Sequence, residues 1–368
     1  LGIGNRKAMK ETISTLFTTL LVIAVVITTL MIFTMDPLLK LIQTPAEAFF
    51  ETRAYFFVTT LGTIFIFGYN ALSAVMRGMG DSKNPLYFVA IACVTNIILD
   101  LLLVAKYGMG AEGAAIATVI SQAVSMILCI IYLKKNGFIF DFKLSSFKFY
   151  KDRFDLLLKI GIPTSAQNAI VSVSFLFLIA LANTFGVSAS AAVGAVSKLN
   201  SFAILPTVAV SASVSAMSAQ NIGARQIRRA VQTLKTGIIF SLAISFIIFL
   251  FMRIFPEDCL SMFGEDKEMI KCGVEYLSAI SYDYLLVPFV FCLNGLFIGA
   301  GHTKFSFINS ASASLFIRIP ACYFLGVFLN KGLYGLGLGA PLASMFGVIM
   351  GVVFFLSKKW MRAVIVKE

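Results

Sequence analysis

Charge is scarce in this chain. Only 13% of its 368 residues are Asp, Glu, Lys or Arg, against about a quarter in soluble globular proteins. Together with a mean hydropathy of +0.91, that scarcity excludes an ordinary soluble globule. Histidine occurs once, at His302, with neither Cys nor His beside it. The six cysteines offer no better ligand set. Cys93, Cys129, Cys292 and Cys322 lie in apolar runs, Cys259 and Cys272 flank a polar turn, and no pair has metal-ligand spacing. No transition-metal site and no cofactor are expected, and the thiols read as small buried apolar groups. There is no Asp-Asp-x-x-Asp or His-Glu-x-x-His pattern, so a membrane-embedded enzyme is not expected. No soluble module interleaves basic residues with exposed aromatics, so the net charge of +12 is not a nucleic-acid signal. No segment shows the short apolar core and small-residue cleavage site of a signal peptide.

What the chain does have is long uncharged runs. Thr12–Met35, Ala54–Met76, Gly113–Leu133, Leu199–Ala224 and Gly332–Ser357 each exceed the roughly 20 residues a helix needs to cross a bilayer. Ile160–Ser197 is about twice that length, and its interruption at Thr184–Ser190 cannot stay in hydrocarbon as loop, so it reads as two spans joined by a turn. Leu86–Ala105, Thr236–Met252, Tyr276–Ile298 and Phe305–Phe328 complete ten predicted helices. The expected fold is an all-α polytopic membrane protein.

The chain also repeats itself. Ile3-Gly4-Asn5-Arg6 returns as Ile222-Gly223-Ala224-Arg225, and Pro37 returns at the same offset as Pro256. Gly78-Met79-Gly80-Asp81-Ser82-Lys83 is echoed 221 residues later by Gly299-Ala300-Gly301-His302-Thr303-Lys304. Landmarks in one order at a near-constant offset mean one structural unit used twice. The second unit begins near Ile160, well before its Ile222, whereas the first opens on Leu1 close to its Ile3. The expectation is that the first two helices of the first unit are missing from this chain.

Loop charge orients the spans. Assigned to alternate sides, 21 of the 30 basic residues fall on the side of Arg6, Arg77, the run Lys134–Lys159, Arg225 and the tail at Lys358–Lys367. The positive-inside rule puts that side, and both termini, in the cytoplasm of a multi-pass cytoplasmic-membrane protein. The organisation follows. Residues 1–134 form an amino-terminal bundle of four helices, 135–154 a basic amphipathic connector at the cytoplasmic interface, and 155–368 a six-helix bundle with a basic tail. Two copies entering from the same side are parallel repeats, an arrangement that secondary transporters use with the substrate path between the halves. The expected partners are the lipid bilayer and small organic substrates, and the expected state is a monomer.

Four stretches carry a resemblance. Arg77-Gly78-Met79-Gly80-Asp81-Ser82-Lys83-Asn84-Pro85, then Asn96-Ile97-Ile98-Leu99-Asp100, then Gly108-Met109-Gly110-Ala111-Glu112-Gly113-Ala114-Ala115-Ile116-Ala117-Thr118 resemble consecutive motifs of the multidrug and toxic compound extrusion (MATE) transporters. Gln220-Asn221-Ile222-Gly223-Ala224 is similar to that family's marker after its eighth helix. The resemblance covers helices three to twelve of a twelve-helix fold. It implies antiport, export of drugs or organic cations driven by inward Na+ or H+.

The residues themselves point to candidate sites. An ionised carboxylate at membrane depth costs about 2.5–3.5 kcal/mol on insertion scales, so such a group usually faces the bundle interior and has a task. Asp100 lies within a predicted helix, with Asn96 four residues earlier on the same face. A carboxylate and an amide oxygen are hard ligands for a small cation, and the carboxylate alone can carry a proton. Thr118 on the next helix adds a hydroxyl. Within the resemblance, Asn96, Asp100 and Thr118 fall on positions of the amino-terminal cation site. Asp283, between Tyr282 and Tyr284, is a second carboxylate at depth; together with Tyr282, Gln167 and Asn168 it either lines a substrate path or links helices. Lys198 either pairs with Asp283 or snorkels to the surface. Pro163 and Pro206 are candidate hinges, since each removes a backbone donor and frees a carbonyl. The alternatives to drug efflux are a lipid-linked precursor flippase, which would need more cationic side chains at depth than Lys198 and Arg318, and a truncated remnant that does not transport.

Overall fold

Backbone amides in hydrocarbon must find partners within the chain, and a helix supplies them within a single segment. The computed structural model describes residues 5–41 and 48–361, and all its regular elements are helical. Among these residues eight helices are long and apolar enough to cross a membrane, and two bent pairs bring the number of spans to ten. The helix bundle and the multi-pass character expected above are both present. Ile3 and Gly4 of the first repeat landmark, and Arg362 and Lys367 of the basic tail, lie outside the described residues.

By Cα packing the chain divides into two units, cut between Leu157 and Leu158. The first contains α1 (Arg6–Leu41), α2 (Phe49–Leu61), α3 (Thr63–Gly78), α4 (Lys83–Asp100) continued by a π-helical stretch at Leu101–Lys106, and α5 (Gly110–Lys135). A connector with one short 3-10 turn leads into α6 (Lys151–Asn183), which crosses the boundary between units. The second unit continues with α7 (Val187–Gly223), α8 (Ile227–Ile254), the short α9 (Pro256–Ser261), α10 (Lys267–Ile280) and α11 (Asp283–Gly299). Then come α12 (Thr303–Ser312), π-helical turns at Ala313–Arg318 and Phe324–Phe328 on either side of α13 (Ile319–Tyr323), and α14 (Gly332–Leu356).

The repeat reaches into the element boundaries. The pair α2 and α3 bends by 45° at Gly62, and the pair α10 and α11 bends by 48° at Ser281–Tyr282, at the corresponding position. At the first break a Cβ on Gly62 would run into the Val119 side chain of α5, so glycine is what lets the bent span sit against its neighbour. At the second, Tyr284 N–H and Leu285 N–H bond back only three residues, to Ser281 and Tyr282, as in a turn. The helices run unbroken through Pro163 and Pro206.

The connector is fastened to the first unit. The Ser14 hydroxyl donates to the Ser146 carbonyl (2.6 Å) and accepts from the Lys148 N–H (2.8 Å). Arg153 pairs with Glu11 at 3.0 Å, and Phe140 is buried edge-on to Phe17. Within the second unit, α11 packs on α7 through Gly295 and Gly299. A Cβ at Gly295 would lie 2.6 Å from the Ser211 carbonyl oxygen, and one at Gly299 would strike that of Ser215.

Candidate ion and substrate sites

The glycine-rich landmarks turn out to be helix punctuation. Gly80 (φ 93°) and Gly301 (φ 85°) both hold the left-handed conformation that ends a helix. After α3, Gly80 N–H bonds to the Arg77 carbonyl and Asp81 N–H to that of Met76; after α11, Gly301 N–H bonds to Ile298 and His302 N–H to Phe297. Asp81 then caps α4, accepting from the Asn84 backbone N–H at 3.2 Å and from its side-chain amide at 2.8 Å. This motif therefore sets the turn between two spans and leaves the chemistry to residues deeper in the helices.

In the first unit the candidate cation ligands sit on α4 and α5. Asp100 is the last residue of α4 and immediately precedes the π-helical stretch, a local distortion that recurs at functional sites. Asp100 Oδ1 and Asn96 Nδ2 are both sealed from solvent without a hydrogen-bond partner. An unmet carboxylate oxygen is costly in an apolar setting, which is the physical argument for a cation at Asp100; the unmet Asn96 Nδ2 is a donor, and only the amide oxygen of Asn96 can serve as a cation ligand. Thr118 donates its hydroxyl to the Ala114 carbonyl at 2.9 Å, leaving the oxygen lone pairs available. The α4 and α5 helices that carry these three residues pack against each other.

The second unit encloses a cavity of about 400 Å³ lined by α6, α7, α11, α14 and the segment from α12 through the first π-helical turn. Gln167, Asn168 and Asp283 all face it. Asp283 opens α11 just past the break, where the positive end of the half-helix favours a carboxylate. Its carboxyl group is buried beside the Ser344 hydroxyl, and Oδ1 has no partner. Gln167 donates to the Ser310 hydroxyl at 2.8 Å, and its carbonyl oxygen is left unpaired.

Tyr282 does not join them. At the break it turns away from Asp283, accepts a hydrogen bond from Arg253 of α8, and lies under that guanidinium at 4.7 Å. Lys198 lies 6.0 Å over the Phe263 ring and makes no ion pair with Asp283. Among the described residues no cluster of His, Cys, Asp and Glu has the makings of a metal site.

Sequence reasoning passed over two carboxylates that organise the site helices. Glu51 on α2 accepts from the Ala111 N–H at the start of α5, and Glu275 on α10 accepts from the Tyr334 N–H at the start of α14. The signal was present in the repeat offset, which relates Glu51 to Glu275 and Ala111 to Tyr334 almost equally.

Comparison with known proteins agrees with this architecture. The chain is 28% identical over 357 residues to the probable multidrug resistance protein YoeA of Bacillus subtilis, covering 95% of this chain and 77% of that one. It is 27% identical over 328 residues to the probable multidrug resistance protein YpnP of the same organism, covering 89% and 73%. The fold matches that of a MATE protein crystallised in complex with MaL6 at a TM-score of 0.91 and 21% identity, over 97% of this chain and 80% of that one. The family model described as MatE matches residues 1–102 and 163–324, and with ten spans in two repeated sets, the chain belongs to the MATE family of membrane transporters.

Proposed function

We propose that this transporter is a cation-coupled antiporter that exports amphipathic drugs or organic cations, taking up Na+ or H+ in exchange. The observation that carries the reading is the unpartnered carboxylate oxygen Asp100 Oδ1 on α4, beside a π-helical distortion and one turn after Asn96. A carboxylate in this position can exchange its proton, or hold a sodium ion with help from the Asn96 amide and the Thr118 hydroxyl. Relatives named for multidrug resistance support export of varied organic molecules.

The substrate chamber in this proposal includes the second-unit cavity, with Asp283 attracting a lipophilic cation while the apolar walls tolerate different shapes. The basic loops orient the protein in the cytoplasmic membrane with both termini inside. Its working state is a monomer surrounded by lipid, with small organic molecules as its other partners and no nucleic acid, organic cofactor or catalytic reaction involved.

The test is dye efflux from proteoliposomes under an imposed Na+ or H+ gradient. One gradient should drive export by the wild type, and Asp100→Asn should abolish the gradient-driven part while leaving dye binding within a few-fold. A fully active Asp100→Asn protein would sink the assignment.

A further inference from the structure

The same cavity holds a cation that the efflux reading does not use. Arg318 closes a π-helical turn in the middle of the span Thr303–Phe328 and lines the chamber. Its Nε and Nη1 are sealed from solvent, and neither has a hydrogen-bond acceptor. The guanidinium lies 4.8 Å from the centre of the Phe175 ring. Stacking engages a face of the guanidinium, whereas its N–H bonds lie in the plane, so the ring leaves those donors unmet.

The nearby carboxylate feels this charge through space but does not touch it. Asp283 lines the same chamber, yet the two form no direct ion pair. Instead the chamber keeps its unmet groups sorted by kind. Nε and Nη1 of Arg318 are donors, whereas Asp283 Oδ1, Gln167 Oε1, Asn294 Oδ1 and Asn309 Oδ1 are all acceptors without partners. Asn309 is fixed by its own amide, which donates to the Gly347 carbonyl at 3.1 Å. A purely cationic guest would meet the acceptors and leave Arg318 buried and unpaired.

We propose that this chamber binds an amphipathic molecule bearing an oxyanion, a carboxylate or phosphate held by Arg318, with its N–H or O–H donors on the four acceptors. The inference rests on reading the cavity as a substrate chamber, and assigns Arg318 as the residue in it that holds an oxyanion. Charge-assisted hydrogen bonds to a guanidinium strengthen out of water, and Arg318 Nε and Nη1 are sealed from solvent.

The test is direct binding by the purified chain in lipid nanodiscs, using two fluorescent probes that share one apolar body: dansylglycine with a carboxylate, and neutral dansylamide. Dansylglycine should bind the wild type at least about tenfold more tightly than it binds Arg318→Gln, a difference worth about 1.4 kcal/mol. Dansylamide should bind both proteins within twofold. Arg318→Lys, which keeps the charge but loses the planar donors, should fall between. Asp283→Asn removes the opposing charge and should tighten dansylglycine. Displacement by decanoate or by decyl phosphate reads which oxyanion fits better. Equal losses of both probes in Arg318→Gln, weaker dansylglycine binding in Asp283→Asn, or displacement by neither competitor would overturn the proposal. Binding is read here without transport. A protein that binds dansylglycine as described but exports nothing fails only the efflux reading, and one that exports dyes without a carboxylate preference fails only this one.

Discussion

Glu275 on α10 accepts a hydrogen bond from the backbone N–H of Tyr334 at 3.1 Å, so one span closes the amino terminus of another. Glu51 and Ala111 do the same in the first unit at 3.2 Å. Each carboxylate satisfies an orphan donor and complements the helix dipole. Glu275→Ala should cost about 1 kcal/mol, lowering the melting temperature by about 2–4 °C for a unit of this size. A thermal melt followed with a dye that labels thiols as they become exposed will read it, since Cys322 is buried. An unchanged melt would show that the cap contributes nothing.

Gly80 separates backbone cost from crowding. No atom lies within 4 Å of a Cβ built on Gly80, so Gly80→Ala should lose about 1–2 kcal/mol through its left-handed conformation alone. Gly80→Asn should lose less, because Asn tolerates that region. The same thiol melt distinguishes the two, and equal losses would refute the conformational account.

Gly295 and Gly299 test the opposite case, in which the backbone is ordinary and space is lacking. Gly295→Ala would drive a Cβ against the Ser211 carbonyl and hydroxyl oxygens, at 2.6 and 3.0 Å. The α7–α11 contact must open, at a cost of about 1–3 kcal/mol. Cys292 of α11 is fully buried, and its labelling rate below the melting point should rise in Gly295→Ala. A rate equal to wild type would mean that the helices adjust without separating.

Thr118 discriminates between coupling ions. Its hydroxyl already donates to the Ala114 carbonyl, so it can offer a cation only its lone pairs. Thr118→Val keeps the shape and removes that oxygen. If Na+ drives export, the apparent Na+ affinity should fall about tenfold or more; if H+ does, the pH dependence of dye efflux should stay within about twofold, a tenfold change in affinity being about 1.4 kcal/mol. Efflux measured against graded Na+ and graded pH gives the answer, and a shift in the pH dependence without any in Na+ would contradict this role for Thr118.

Hydropathy alone located the ten spans, because a helix that crosses lipid needs length and apolar surface, and both are visible in single runs such as Thr12–Met35. It could not reveal the breaks at Gly62 and Ser281–Tyr282. A bend needs only a missing hydrogen bond or two, and the flanking residues stay apolar. The contact of Tyr282 with Arg253 depends on where α8 packs and was equally hidden. Asp100 and Asp283 were legible because a carboxylate in an apolar run stands out. Glu51 and Glu275 were not, since each sits at a polar span end where acidic residues are commonplace, and the donor each serves lies about 60 residues away. Arg318 was visible as a charge in a span, but its unmet nitrogens emerge only once the neighbours are placed.

The order of each capping pair along the chain bears on biosynthesis. In both units the acidic residue is made before the terminus it closes, Glu51 ahead of Ala111 and Glu275 ahead of Tyr334. As the ribosome delivers each late span, its acceptor is already waiting in the membrane, and both partners come from the same unit. Neither unit therefore depends on the other for that closure.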